Sequence, residues 1–220
     1  LLNAIEGTFV LSIGSMLIAV PVVVGAGIYL SEYGKNRLGS VIRFLSDVLT
    51  GTPSIVLGYF SYIVFIISLG WGFSALAGAI TLAILVVPYL ARITELALQQ
   101  VPNSMREAGF ALGATEPTVV FKIILPGAAS GVITGALLAL AISVGETAPL
   151  IYTAGWSNYL WNGKLTNEPI GFLTYVIWSY ITQPFASAHA LAFAAAFLVM
   201  MVVLAINIGV RLVVRRTKFV

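Results

Sequence analysis

Five long apolar runs are the feature of this sequence that most restricts its fold. A helix crosses the hydrocarbon core of a bilayer with ~20 residues. The runs approach or exceed that length, at residues 8–30, 48–70, 73–91, 127–148 and 187–210. Because 60% of the residues are hydrophobic and only 9% are charged, no soluble domain fits between them. We therefore expect an all-α, polytopic transmembrane helical bundle in which residues 1–220 form one domain in the lipid bilayer.

The basic residues predict how these spans are oriented. Ten of the 11 Lys and Arg residues fall into three groups, namely Lys35, Arg37 and Arg43; Arg92, Arg106 and Lys122; and Arg211, Arg215, Arg216 and Lys218. Five alternating spans place all three groups on one side of the membrane and leave Lys164 on the other. The positive-inside rule assigns the three groups to the cytoplasm. The N-terminus is then external and the C-terminus cytoplasmic, and topology rather than nucleic-acid binding explains the basic charge.

Between the third and fourth runs the sequence becomes amphipathic and charged, and we call residues 94–125 the elbow. Ser104 and Glu107 have the spacing of a capping box, which predicts a helix that starts at Ser104. Gly113 suits the left-handed residue that ends such a helix. A second short helix is predicted after this glycine, and Pro126 is expected to bend the chain into the fourth span. Two short helices joined by a glycine form a shape suited to docking.

The elbow resembles the EAA loop of ABC importer permeases. The family pattern is Glu-Ala-Ala, three residues, Gly, nine residues, Ile, one residue, Leu-Pro, and the matching residues are Glu107, Ala108, Gly109, Gly113, Ile123, Leu125 and Pro126. Gly109, in place of the third-position alanine, is the one departure. The resemblance implies the fold of a type I ABC importer permease, and it implies that these residues, together with Ser104, couple the chain to a cytoplasmic ATPase.

The sequence contains no Gly-x-x-x-x-Gly-Lys-Ser/Thr motif with which to cradle nucleotide phosphates. We therefore expect this chain to bind no cofactor itself, and we expect ATP and Mg on a partner ATPase. No nucleophile, base and orienting group occur together, so no catalytic site is predicted. The single histidine, His189, has no cysteine or carboxylate neighbour, and no metal site is predicted.

A carboxylate, Glu146, stands at the end of the fourth apolar run. It is costly at membrane depth unless it is paired or hydrated, so it either has a function or lies at the external surface. The segment Gly145–Leu150, Gly-Glu-Thr-Ala-Pro-Leu, resembles the signature of the membrane subunits of the phosphate-specific ABC importer. Further segments resemble its A-type permease: Thr50–Val56, Val87–Glu95, Val101–Pro102 and Ala111–Ala114. Members normally have six spans, which implies a first span ahead of Leu1, and many carry Arg where this chain has Ile142.

Six polar residues are candidates for the substrate path, namely Glu146, Thr147, Ser143, Arg92, Thr52 and Ser54. The carboxylate can accept a hydrogen bond from protonated phosphate or hold an arginine of a partner subunit. The hydroxyls on its helix can donate to substrate or bond back to their own backbone. Thr52 and Ser54 fit the start of a helix or an anion contact. Arg92 can serve the path, pair with Glu95 or anchor its helix at the membrane surface.

Two further patterns concern the surfaces of the helices. Gly127, Gly131 and Gly135 recur every fourth residue and predict a close helix contact. Residues 149–186, on the external side, are rich in aromatic residues. Such a segment acts as a membrane-surface anchor or presents a surface to an external solute-binding protein.

The resemblance and the topology together predict the permease subunit of an ATP-driven importer that translocates inorganic phosphate across the inner membrane of a prokaryotic cell. The expected partners are a second permease subunit, two cytoplasmic ATPase subunits and an external phosphate-binding protein, with no nucleic acid. Two alternatives remain at this stage. One is an ABC importer permease for another oxyanion or small solute, and the other is an ATP-independent transporter, for which an inverted internal repeat would be expected but is not seen.

Overall fold

The structure, a computed structural model, describes residues 1–217, and every regular element within them is helical, as the apolar runs predict. In chain order the elements are α1 (Leu2–Ile28, continued by a π-helical turn at Tyr29–Tyr33), α2 (Arg37–Thr50), α3 (Ser54–Ser61, continued as π-helix by Tyr62–Ser68), α4 (Ala75–Gln99), α5 (Asn103–Ala111), α6 (Glu116–Val119, continued by a π-helical turn at Val120–Ile124), α7 (Leu125–Gly145), α8 (Ala148–Thr153), α9 (Leu173–Ile181) and α10 (Ala186–Thr217). Of the C-terminal basic group, Lys218 lies outside the described residues.

Four of the five predicted spans are continuous helices, each long and apolar enough to cross a membrane: Leu2–Tyr33, Ala75–Gln99, Glu116–Gly145 and Ala186–Leu212. The fifth, predicted at 48–70, is not one straight helix, because α2 and α3 meet at an angle of 102°. Pro53 lies between them, has no backbone N–H, and keeps the residue before it out of the helical conformation. The predicted run therefore begins in the last residues of α2 and continues, after the bend, through α3.

The predicted bend at Pro126 is wrong, because α6, its π-helical turn and α7 form one helix from Glu116 to Gly145. Proline inside a helix lacks a donor and crowds the preceding turn. Here the turn directly before it is widened, and the backbone N–H of Leu125 bonds to the carbonyl of Val120, five residues back. The widened turn accommodates the proline ring without a break.

Small residues let α1 and α4 lie against each other along much of their length. A Cβ added to Gly78 of α4 would lie 2.7 Å from Leu11 Cδ2, and one added to Gly27 of α1 would lie 2.5 Å from Thr94 Cγ2. The hydroxyl of Ser12 in this interface donates to a carbonyl of its own helix (2.6 Å), so it needs no partner across it. This pair of helices forms the centre of the bundle, and α7 packs onto it.

The segment between α8 and α9, residues 154–172, folds back onto the start of α1. The side-chain amide of Asn3 donates to the carbonyl of Ser157 (2.6 Å), and the backbone N–H of Trp161 donates to the carboxylate of Glu6 (3.1 Å). These bonds satisfy backbone groups that a non-helical chain leaves open. They also place the aromatic segment at the end of α1 that lies away from the elbow.

Candidate functional site

The structure brings three of the six predicted path residues, Glu146, Thr52 and Ser54, together around one cavity of about 220 Å³. The other lining residues are Leu49, Thr50, Leu57, Ile84, Leu85, Tyr89 and Ile142. The cavity thus lies between the end of α7, the bend from α2 to α3 and the middle of α4. Because the α4 residues in its wall are far from both ends of that helix, the half-buried Glu146 lies level with the middle of α4.

Glu146 reaches the cavity because the chain leaves the helical conformation at this residue. α7 ends at Gly145, and Glu146 has an extended backbone with φ −72° and ψ 140°. The hydroxyl of Thr174, from α9, donates to its carbonyl (2.7 Å). Its carboxylate faces the hydroxyl of Ser54, the first residue of α3. Pro149 of the following helix packs against Gly58 of α3, where an added Cβ would lie 2.5 Å from Pro149 Cα.

The hydroxyl groups of the cavity differ in what they offer an anion. Thr50, at the end of α2, and Thr52, two residues later, donate to carbonyls of α2 at 2.8 and 3.0 Å, which leaves their hydroxyls as acceptors. Ser54 and Tyr89 carry the other hydroxyls of the wall. Within residues 1–212, whose side chains the structure describes, no Lys or Arg lines this cavity. Ile142, the residue at which the sequence departs from the pattern it resembles, is itself part of the wall.

Ser143, Thr147 and Arg92 do not line the cavity. Ser143 is buried between α7 and α1, with its hydroxyl oxygen 3.5 Å from that of Ser15. Thr147 precedes α8, and its carbonyl accepts the backbone N–H groups of the first turn. Arg92 lies further along α4 and pairs with Glu95, Nη1 to Oε2 at 2.9 Å. The structure therefore divides the six predicted path residues into three inside the cavity and three outside it.

Glu95 is the centre of a buried ion cluster that the sequence reveals only in part. Its side chain is 1% exposed, and besides Arg92 it accepts hydrogen bonds from Arg43 Nε (2.8 Å) and Gln99 Nε2 (3.2 Å). The spacing of three residues indicated the Arg92 pair. Arg43 lies 52 positions away on α2, and no local pattern points to its contact with Glu95. The cluster ties α2 to α4.

The elbow contains α5, α6 and the π-helical turn before α7. The capping box predicted for its first helix is wrong. α5 begins at Asn103 after Pro102, and no side chain caps it. Proline fixes the turn into the helix by itself, since it has a restricted φ and disfavours helix in the residue before it. Ser104 therefore lies inside the first turn, and Ser104, Glu107 and Ala108 are exposed on the surface of α5.

The motif residues of the elbow also hold its two helices together. Gly113 has φ +77°, the left-handed conformation predicted for the end of α5. A Cβ added to Gly109 would lie 2.7 Å from Ile123 Cδ1, so glycine allows the closest approach of the two helices. Leu125 is half-buried and Pro126 is exposed. The exposed side of the elbow carries large apolar side chains, among them Leu112, which is 88% exposed.

The glycine stripe of α7 faces α4 and Val101, which lies two residues after the end of α4. The stripe consists of Gly127, Gly131 and Gly135. Added Cβ atoms would lie 3.4 Å from Val101 Cγ2, 2.7 Å from Ala97 Cβ and 2.6 Å from Ile93 Cγ2, respectively. The stripe therefore brings α7 into direct contact with the C-terminal half of α4. Within the described part of the chain, no group of three or more His, Asp or Glu side chains is placed to hold a metal ion.

Comparison with curated proteins relates the chain to phosphate permeases. The "Phosphate transport system permease protein PstA 2" of Mycobacterium bovis is 49% identical over 208 residues, which are 94% of this chain and 69% of the relative. The "Phosphate transport system permease protein PstA" of Haemophilus influenzae is 43% identical over 220 residues, covering 99% of this chain and 77% of the relative. The "Probable phosphate transport system permease protein PstA" of Methanocaldococcus jannaschii is 37% identical and covers 94% of this chain and 73% of the relative.

Comparison with solved structures supports the fold. A chain of the inward-facing MetNI methionine ABC transporter, in its CY5 native crystal form, superposes with a TM-score of 0.75 at 22% identity. The match covers 97% of this chain and 92% of that chain. Residues 9–219 match the family described as binding-protein-dependent transport system inner membrane component. Since the match spans nearly the whole sequence and the fold agrees, this chain belongs to the family of inner-membrane components of binding-protein-dependent transport systems.

Proposed function

We propose that this chain is a membrane permease subunit of an ATP-driven importer that carries inorganic phosphate across the inner membrane. The observation that carries the proposal is the identity of 43% and 49% to two phosphate transport system permeases along 94% or more of this chain. The cavity lined by Glu146, which belongs to the segment that resembles the phosphate permease signature, is the proposed part of the substrate path.

The cavity can contact phosphate in only some of its protonation states. A carboxylate repels the dianion, but it can accept a hydrogen bond from a protonated phosphate oxygen. The hydroxyls of Ser54 and Tyr89 can donate to unprotonated oxygens. An anion inside an apolar bundle also requires positive charge nearby. Because Ile142 supplies none, we assign the cation to an arginine of the partner permease, which Glu146 would hold in place through a charge-assisted bond.

The elbow is the proposed contact with the ATPase. The exposed face of α5 combines Glu107 with the large apolar side chains of Met105, Phe110 and Leu112. Exposed apolar side chains beside a carboxylate are more stable when they bind in a groove of a soluble partner than when they are exposed to water. We infer that the elbow and the C-terminus are cytoplasmic, that ATP and Mg bind to two copies of a separate ATPase, and that an external phosphate-binding protein delivers substrate.

Reconstitution tests this assignment directly. The chain is purified with its partner permease and ATPase, inserted into proteoliposomes, and supplied with the external binding protein. Labelled phosphate uptake should require ATP and the binding protein, and it should exceed uptake of sulfate or methionine in matched assays. ATP-dependent uptake of one of the other solutes without phosphate uptake would establish the alternative, a permease for another substrate. Uptake by the purified chain without nucleotide would overturn the importer assignment.

A further inference from the structure

The π-helical turn Tyr29–Tyr33, at the end of α1, is held from two sides by arginines of other elements. Arg106 of α5, in the elbow, pairs with Glu32 inside the turn. Arg43 of α2 donates to two carbonyl oxygens, one within the turn and one directly after it. The turn therefore lies between the elbow and the helix that leads into the Glu146 cavity.

The contact on the elbow side is a half-buried ion pair in which two nitrogens of one arginine contact both oxygens of one carboxylate. Arg106 Nη2 lies 2.9 Å from Glu32 Oε1, and Arg106 Nε lies 3.4 Å from Oε2, with the two side chains 17% and 14% exposed. The same guanidinium donates to the carbonyls of Val101 (2.8 Å) and Leu98 (3.2 Å) at the end of α4. A charge-assisted pair of this kind keeps its geometry better than a solvent-exposed one. Displacement of α5 therefore acts on the π-helical turn.

The contact on the other side uses all three nitrogens of Arg43. Nη1 donates to the carbonyl of Gly34 and Nη2 to that of Leu30, both at 2.8 Å, while Nε donates to Glu95 at 2.8 Å. Within the described chain, Gly39 is the only buried residue of α2, so apolar packing contributes little to its position. Arg43 thus fixes α2 relative to α1 and α4.

The far end of α2 forms a wall of the cavity. Leu49 and Thr50, its last residues, line the space with Glu146, and Thr52 and Ser54 follow at the bend. A helix of 14 residues is stiff over its length, so a rotation at Arg43 moves these residues together. The bend at Pro53 supplies the hinge at which α2 and α3 can change their angle.

We propose that Arg106, Glu32 and Arg43 are positioning residues that connect the elbow to the cavity. Movement of α5 acts through Glu32 on the π-helical turn, and through Arg43 on α2, and so displaces Thr52 and Ser54 relative to Glu146. The inference rests on the proposed function, because it takes the elbow as the place where the ATPase acts. A connection of this kind is demonstrated only by measured coupling between its members.

The test uses the complete importer in proteoliposomes and measures solute imported per ATP hydrolysed. Arg43→Gln and Glu32→Gln should lower this ratio about tenfold, while the complex assembles in normal amounts and still hydrolyses ATP. Exchanging the charges, Glu32→Arg with Arg106→Glu, should restore much of the ratio. Arg37→Gln is the matched control on the same helix, because Arg37 is exposed and makes no ion pair with the side chains of residues 1–212. This variant should keep the wild-type ratio.

A second measurement follows the cavity wall itself. The sequence has no cysteine, so Leu49→Cys and Leu85→Cys introduce the only two thiols of this chain, both in the wall. Their disulfide yield should differ between nucleotide-free and ATP-bound complex, and Arg43→Gln should remove that difference. A wild-type ratio of solute imported to ATP hydrolysed in Arg43→Gln would overturn the inference. So would a loss of complex assembly in Glu32→Gln that the charge exchange between Glu32 and Arg106 does not repair. If the complex imports a solute other than phosphate, the proposed function is wrong, and the ratio for that solute still decides this inference.

Discussion

At the scale of single residues, two carboxylates in this apolar chain differ in how their charge is compensated. Glu95 is 1% exposed and is surrounded by Arg43, Arg92 and Gln99. Glu146 lines a cavity into which no Lys or Arg of residues 1–212 projects. A buried charge needs a partner or water. The first carboxylate therefore serves to join helices, whereas the second is left free for substrate or for an arginine of another subunit.

The role of Glu146 predicts the effect of removing its charge. Glu146→Gln keeps the volume and most hydrogen bonding, yet it should lower phosphate uptake about ten- to a hundredfold, because a charge-assisted bond is worth about 1.5–3 kcal/mol. Glu146→Ala should be at least as severe. Uptake by proteoliposomes with equal amounts of each complex checks this. Wild-type uptake in both variants would show that Glu146 is not part of the substrate path, and it would leave the permease assignment intact.

The glycine stripe predicts a stability difference between two otherwise similar substitutions. Gly131→Ala places a methyl group 2.7 Å from Ala97 Cβ, so α7 and α4 must separate, at a cost of about 1–3 kcal/mol. Gly25→Ala is the matched control, because Gly25 is also helical and has nothing within 4 Å of an added Cβ. Thermal unfolding in detergent should show a lower midpoint for Gly131→Ala than for the wild type, whereas Gly25→Ala should not lower the midpoint. Equal midpoints would contradict the close packing.

At the scale of helices, the sequence predicts where apolar segments exist better than where they break. Four spans follow from apolar length alone, since a bilayer-crossing helix needs little else. The break before α3 and the continuity through Pro126 depend on how each proline is accommodated, by a bend at Pro53 and by a π-helical turn before Pro126. Local rules allow either outcome, and tertiary packing selects one.

The same limit applies to the candidate site. Glu146, Thr52 and Ser54 were predictable because each stands out chemically or belongs to a recognised segment. Tyr89 was not proposed, although a tyrosine beside Pro88 near the end of an apolar run was a usable signal. The contacts of Arg43 and Glu32 carry no local signal, because their partners lie 52 and 74 positions away in sequence.

If the elbow binds the ATPase, substitutions in it should weaken ATPase association while the membrane helices still fold. Glu107→Lys reverses a charge on the exposed face of α5, and Gly113→Pro is incompatible with φ +77° and removes the bond from its N–H to the carbonyl of Phe110. Each change should weaken binding of the ATPase on the order of tenfold or more. Pull-down of the ATPase with purified permease measures this. Glu168→Lys, in the segment between α8 and α9, is the control, and normal association in both elbow variants would place the ATPase contact elsewhere.

At the scale of the whole molecule, the chain leaves part of its polar cavity open at its surface. Leu49 and Ile142, both in the cavity wall, are 46% and 37% exposed. Large apolar side chains of α3, such as Tyr59 and Phe60, are also exposed, a few residues after Ser54 of the cavity wall. Lipid can cover apolar side chains, but it is a poor cover for a cavity that holds a carboxylate. We therefore propose that a second protein surface closes the cavity there.

A second permease subunit is therefore the expected neighbour of the α2–α3 bend. In the purified, active complex, a crosslinker attached at Leu49→Cys should join this chain to another permease, because Leu49 lies at the exposed edge of the cavity that the partner is needed to close. Leu165→Cys is the control, since Leu165 is 55% exposed but lies in the segment between α8 and α9, away from the cavity wall. Mass spectrometry of the intact complex gives the subunit count. An active complex with one copy of this chain and no second permease would show that the cavity is closed in another way, and the assignment of the missing cation to a partner would fail with it.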